Sequence, residues 1–562
     1  MVVAGHYLAT VAGFRILEEG GNAIDAGVAA GLALNVVEPH RCSLGGVAPI
    51  ILYQSDHRRV VTISGLGRWP RAATIQVFEE RCNGEIPVGV MRCITPGAPD
   101  AWLTALELYG TSSFAQVAGP ALELAERGFP AQESLKAFVV RYKENLSRWP
   151  SSREVFMPNG RPPEVGEVFR QPALARTFRR MVEVEKSHSS KGRERALQAV
   201  REFFYKGEIA REIAGFVQSQ GGLLTAEDMA AFRVKVEPPV KAVYKGYTLY
   251  FCGPWCQGPV NGQVLHMLEG LDLKAMGHNT PDYVHTITEA FKLAFADRHY
   301  YYGDPDFVPV PIQGLLSQQY AAARRAAINP TTACREMPEP GDPWPFQPGP
   351  HPSFPRPRRP EPKAGPKPTD TPTLCTVDRC GTAFSATISD GFSGAPIVPG
   401  LGFLCSSRGT QSWLDPDHPS AVAPGKRPRL TPNPALAFKD GRLFLAFGTP
   451  GGDAQPQAMV QTFLNIVEWG MTPQQAVEAP RFATFSFPNS FWPHAYEPGL
   501  LAVEGRLPAE VVGELARRGH RMEVWEPQTP SVGGVCCIQA DPERGVLVGG
   551  ADPRRDCYAL GR

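Results

Sequence analysis

Position 371 is a threonine directly after an aspartate, where a proline-dense stretch gives way to an apolar run. A chain cut between Asp370 and Thr371 would leave a threonine with a free α-amine. That amine can take the proton from its own residue's hydroxyl, which turns a poor nucleophile into a usable one. Such an amine titrates at about pH 8, so part of it is free base near neutrality. The hydroxyl could also make the cut, by attacking the carbonyl before it. The same residues suit a threonine that merely opens a strand beside a loop aspartate, and taken alone they leave both readings open. Pro450-Gly451-Gly452, between an expected strand and an expected helix, is the second candidate. Two glycines let the backbone approach a substrate closely, and their N–H groups could form an oxyanion hole. A tight strand-to-helix turn would use the same residues. HExxH, GxSxG, Walker-loop and GxGxxG patterns are absent.

The elements around these residues must bring them together. Leu8, Val11, Ala12 and Ile16 share a helical face, and Gly20-Gly21 closes that helix. Asn22 can cap a second helix from Ala23 to Val36, whose small apolar residues predict full burial. An apolar strand is expected over 48–53, another over 243–252, and a long helix over 281–299. From Pro338 to Asp370 the prolines remove too many backbone donors for helix or sheet. This segment reads as an extended, exposed linker and a natural place for a cut. Beyond it the chain is strand-rich. Residues 371–378 and 382–389 read as a hairpin turning at Asp378–Gly381, and 443–447 as a strand. A helix over 457–468 follows, and Thr472-Pro473-Gln474-Gln475 starts another with a capping box. The resulting division is 1–335, a linker 336–370, and 371–562.

Composition narrows the function classes. The 562 residues carry a formal charge of +1, with 43% hydrophobic and 20% charged side chains. This is the make-up of a globular domain, and its balance gives no reason to expect nucleic acid or an anionic membrane as partner. No apolar stretch is long enough for a membrane span, and Met1–His6 does not read as a leader. The expectation is a cytoplasmic protein, or an exported one if the start is truncated. The twelve cysteines include the adjacent pair Cys536-Cys537 and lack zinc-knuckle spacing, so they read as free, mostly buried thiols.

Taken in order, the segments resemble the gamma-glutamyltransferase family over nearly the whole chain. Gly20-Gly21-Asn22-Ala23-Ile24-Asp25-Ala26 is similar to that family's early turn. Leu34–Pro39, Ala294–Arg298 with Gly303-Asp304-Pro305, Gly425–Pro428, Gly448–Gly452, Ala476–Phe482 and Gly550–Arg554 continue the match, with Asp370-Thr371 on the cleavage site. The resemblance implies an α/β (α+β) fold, the four-layer αββα N-terminal-nucleophile hydrolase sandwich, shared by two self-cleaved subunits held as a heterodimer. It implies acyl transfer through an ester on Thr371, with Ser389 hydrogen-bonded to it and the Gly451 and Gly452 backbone holding the oxyanion. No cofactor and no metal are implied, because the threonine and its amine supply nucleophile and base.

Departures from the family bear on substrate. The arginine that grips a glutamyl carboxylate aligns with Leu66, with Arg68 two residues on. The segment that holds an α-amine reads Cys405–Gln411 without a carboxylate. Arg408 there would favour a carboxylate over an ammonium group, though a structural arginine fits as well. Of the paired serines of the oxyanion loop only Thr431 keeps a hydroxyl. The Arg408-Gly409 segment, together with Asn433-Pro434-Ala435 and Gly451–Gln457, resembles the branch that includes oxamate amidohydrolase. It points to a small acid amide as substrate, with Arg408, Gln411, Thr431 and Arg68 as candidate binding residues. Gln455 and Gln457 read more simply as helix-start residues. The alternatives are a true gamma-glutamyltransferase acting on glutathione and an uncut, non-catalytic binding protein.

Overall fold

The computed structural model describes residues 1–350, 352, 355–365, 371–392, 394–541 and 543–562. Two sheets lie face to face at its centre. The first has seven strands, in the spatial order Tyr558–Leu560, Val2–Ala4, Thr373–Val377, Ala383–Thr387, Ile50–Gln54, Arg59–Ile63 and Val236–Glu237. The second has six, in the order Val546–Ala551, Cys536–Asp541, Arg442–Gly448, Ala435–Lys439, Tyr247–Phe251 and Val240–Tyr244. All pairings within both are antiparallel.

Strand alternation sets the layers. Cys375 and Val377 face the other sheet in a cluster with Ile51, Leu436, Ala446 and Ile538. Leu374 and Ala386 turn the opposite way, into the core under helix Ala23–Val37. Helices Gly258–Glu269, Pro281–Tyr301 and Gln455–Val467 cover the outer face of the second sheet. The result is the expected αββα sandwich, each sheet burying one face on the other and one on helices.

Helix Ala23–Val37 is buried along its whole length. A Cβ on Gly27 would come within 2.4 Å of Phe384, and one on Gly31 within 2.6 Å of Trp102. Its small residues therefore let the helix lie directly on the hairpin of Thr373–Val377 and Ala383–Thr387. Asn22 caps it reciprocally with Asp25. The buried Asp25 carboxylate also takes bonds from the Thr111 and Ser112 backbone. Asp378 of the hairpin turn accepts from Ala23 N at 3.0 Å.

Three expectations need correction. The single strand over 243–252 is a hairpin, with Lys245 (φ 44°) and Gly246 (φ 84°) forming a two-residue turn between Val240–Tyr244 and Tyr247–Phe251. Val11, expected on the buried face of the first helix, is 48% exposed. The linker is not simply extended and exposed. Met337 is buried, Gly341 N donates to Asp297 at 2.9 Å, residues Trp344–Phe346 form a 3₁₀ turn, and Lys363 pairs with Tyr496. Prolines bar regular hydrogen bonding, but they do not bar packing. Among the described residues no helix is long and apolar enough to cross a membrane.

Candidate active site around Thr371

Strands Thr373–Val377 and Ala383–Thr387 pair with Thr373 opposite Thr387. Carrying that register two residues further sets Ser389 across from Thr371, and Ile388 N donates to Pro372 O between them at 3.0 Å. Thr371 Oγ1 lies 2.6 Å from Ser389 Oγ, both fully buried. Thr371 has φ 108°, a region that β-branched residues avoid because Cβ crowds the backbone. Its carbonyl accepts from Arg555 Nη1 at 3.2 Å. Asp370 lies outside the described residues.

Arg408 opens the short turn Arg408–Gln411 and is 1% exposed. Its Nη2 donates to Ser389 Oγ, and its guanidinium lies 5.2 Å from the Phe491 ring centroid. It is buried beside Ser389 and Thr371, not at the surface. Asp390 sits beside it, with Oδ1 3.9 Å from Arg408 Nε. The Asp390 carboxylate takes bonds from the Ser406 hydroxyl, the Ser407 hydroxyl (2.5 Å) and the Ser407 backbone N–H (3.0 Å). Burial pushes this carboxyl above the usual range, with Arg408 and the serine bonds opposing. Cys405–Gln411 itself contains no carboxylate. One does serve that segment, but it comes from Asp390, and its only sequence signal is an Asp-Gly pair directly after a strand.

Gln411 Nε2 donates to Thr431 Oγ1 at 3.1 Å, joining two of the expected binding residues. Gly448 ends its strand against strand Thr373–Val377, where a Cβ would lie 2.5 Å from Thr373 Oγ1. Gly451 (φ 120°) and Gly452 (φ 56°) follow in conformations that favour glycine. Among the described residues neither of their buried N–H groups has an acceptor, as donors awaiting an oxyanion would require. Gln457 bonds both N and O of Thr484, and Gln455, with its amide turned to donate, reaches Asn433, Thr449 and Thr431. Both brace the loop, as their helix-start position suggests.

Arg68 is not brought to Thr371. Its guanidinium donates to Gly425 O at 3.1 Å and to Asp306 at 3.4 Å, in a partly exposed cluster with Lys235. The neighbouring Trp69 is buried, with its indole N–H on Ser412, and leaves Arg68 outward. A separate group, His285, Glu289 and His520, puts possible metal-ligand atoms within 4.8 Å of one another. Its members bond each other and their neighbours: His285 to His520 (2.9 Å) and Asn329 O (2.7 Å), and Glu289 to Lys292 (2.7 Å).

Comparison with known proteins adds to this geometry. A family model described as gamma-glutamyltranspeptidase matches residues 9–561. The chain is 33% identical to the glutathione hydrolase-like YwrD proenzyme of Bacillus subtilis, covering 100% of this chain and 98% of that one. It is 30% identical to the oxamate amidohydrolase proenzyme of Klebsiella pneumoniae, again over 100% and 98%. Among solved structures, the cephalosporin acylase from Bacillus halodurans superposes with a TM-score of 0.85 at 31% identity, over 100% of this chain and 96% of that one.

Proposed function

Since the chain belongs to the gamma-glutamyltranspeptidase family and is an enzyme of the amidohydrolase and transferase type, we propose that Thr371 is its nucleophile, freed by self-cleavage after Asp370. The observation that carries this reading is the contact of Thr371 Oγ1 with Ser389 Oγ, itself bonded by the buried Arg408. In the uncut chain, the Thr371 hydroxyl attacks the Asp370 carbonyl and the peptide bond shifts to an ester. Water then releases residues up to 370 and leaves the Thr371 amine free. Cleavage relieves the unfavourable φ of Thr371, which favours the forward direction.

In the mature site the amine takes the hydroxyl proton as Oγ1 attacks the substrate amide carbon. The Gly451 and Gly452 N–H groups hold the oxyanion. Collapse expels the amine of the substrate, which receives the proton from the Thr371 ammonium. Water, deprotonated by the same amine, then hydrolyses the ester; an acceptor amine in its place gives transfer. No metal or cofactor enters these steps.

The substrate class we favour is a small amide bearing a carboxylate, with Arg408 as its counter-ion and Gln411 and Thr431 lining the acyl pocket. The likeness to oxamate amidohydrolase supports it. A γ-glutamyl substrate is the second reading, favoured by one observation: the Asp390 carboxylate beside Arg408 could accept an α-ammonium group. Intact mass of the purified protein tests the cut. Fragments of about 40 and 21 kDa are expected for wild type, with Thr371→Ala uncut. Ammonia release from oxamate against glutamate release from glutathione then separates the substrate readings. One uncut, inactive chain in both samples would refute the nucleophile assignment and leave the binding-protein alternative.

A further inference from the structure

Gln257 precedes helix Gly258–Glu269, is fully buried, and has no part in the steps above. Its amide nitrogen donates to two main-chain carbonyls, Thr431 O at 2.9 Å and Gly452 O at 2.8 Å. Its amide oxygen accepts from Arg298 Nη1 at 2.7 Å. A guanidinium offers only donors and a carbonyl only acceptors, so the orientation of this amide is dictated by its partners. Arg298 is itself immobilised. It also donates to Asp453 and, at 3.1 Å, to Pro488 O. Its guanidinium lies 4.5 Å from the Phe295 ring centroid and 5.1 Å from that of Phe487. Asp453 accepts in turn from the Ser490 backbone (2.8 Å) and hydroxyl (2.6 Å).

This network ends on the residues whose placement matters most for an oxyanion hole. Gly452 has no Cβ and a backbone free to turn. Its N–H shares a peptide plane with Gly451 O, which accepts from Ala454 N at 3.0 Å, so holding Gly452 O as well pins the peptide on its other side and removes the remaining freedom. Gln257 holds that oxygen, and with the same nitrogen holds Thr431, whose hydroxyl meets Gln411. We infer that Gln257, set by Arg298, is a positioning residue that fixes the Gly451–Gly452 donors and the Thr431 wall of the acyl pocket relative to each other. Both Gln257 and Arg298 precede Thr371 in the chain, whereas every group they hold in the site follows it. The part before the proposed cut therefore sets the geometry of donors that belong to the part after it. The inference rests on the reading of Thr371 and of the glycine N–H groups given above.

The test uses full-length protein with p-nitrophenyl acetate, a probe that needs no acyl-pocket recognition. The fraction of chain cut at Thr371, read by mass, counts active molecules. Wild type, Thr371→Ala, Gln257→Glu, Gln257→Met and Arg298→Lys are compared. Gln257→Glu keeps the shape and the contact with Arg298 but turns a carboxylate oxygen onto the two carbonyls. The Gln257 variants are expected to lose about 10–100-fold in turnover per cut molecule, with KM nearly unchanged, and Arg298→Lys to lose part of that. Undiminished turnover per cut molecule, with only a lower melting temperature or less cut chain, makes Gln257 a packing residue and overturns the inference. So do Gln257 variants that are uncut or unfolded. A wild type whose activity survives Thr371→Ala refutes the underlying nucleophile reading, and the inference falls with it; that outcome is visible before any Gln257 variant is measured.

Discussion

Ser389 Oγ is shared by two groups: Thr371 Oγ1 lies 2.6 Å from it, and the Arg408 guanidinium donates to it. A hydroxyl accepting from a cation is left with its own proton to give, and Thr371 Oγ1 is the oxygen within reach. Ser389 thereby links the charge of Arg408 to Thr371 Oγ1, the oxygen proposed as nucleophile.

Removing that link should slow chemistry more than binding. Ser389→Ala is expected to lower kcat by about 10–100-fold, the worth of a charge-assisted hydrogen bond of about 1.5–3 kcal/mol, with KM close to wild type. Ser389→Thr should keep most activity. Steady-state kinetics on cut protein measures both, and an unaltered kcat in Ser389→Ala would remove Ser389 from the site.

Arg408 should matter to the acid group of the substrate. Arg408→Lys keeps the charge but loses the planar fork, and Arg408→Met loses both. A charge-assisted hydrogen bond is worth about 1.5–3 kcal/mol, so kcat/KM for a carboxylate-bearing amide should fall by about 10–150-fold in Arg408→Met. Activity on the uncharged ester should fall less. Equal losses on both would show that Arg408 serves the nucleophile alone.

Arg68 supplies the opposite expectation. Its bonds go to Gly425 and Asp306, so Arg68→Ala should leave kcat/KM within about two-fold of wild type, surface changes of this kind costing about 0.5 kcal/mol or less. A rise in KM confined to carboxylate-bearing substrates would bring Arg68 back as a binding residue.

His299 should couple stability to pH. Burial first, then the nearby Arg429 and Arg298 charges, push its imidazole down to about 3. Unfolded, it titrates at about 6.5. The unfolded chain therefore binds the extra proton first. The contribution is complete above about pH 6.5 and is lost as pH falls from there towards 3. At pH 5 the loss is about 2 kcal/mol. Denaturation midpoints at pH 7 and pH 5 should differ by less in His299→Asn than in wild type; the same difference in both would assign the pH effect elsewhere.

Much of this was legible because it is local or periodic. The helix at Ala23, its Asn22 cap and the hairpin turning at Asp378 follow from spacing and turn chemistry; Ser389 beside Thr371 was implied by the family resemblance, and the hairpin register accounts for it. Asp390, Gln257 and Arg555 were not legible. Each acts through a partner distant in the chain or through an unusual φ, and neither leaves a periodic trace. The hairpin at Lys245-Gly246 was lost for a simpler reason: two short strands with one alternation read as one. Arg68 misled because proximity to an expected position says nothing about which way a side chain turns.

The order of strands in the seven-stranded sheet has a consequence for the nicked molecule. Read across the sheet, strands from after residue 371 and from before it alternate: one after, one before, two after, three before. The two pieces would be interlaced through backbone hydrogen bonds rather than docked along a surface. Parting them would mean dismantling the sheet. Dilution should then have no hold on the pair, and a broken backbone would cost the protein none of its cooperativity.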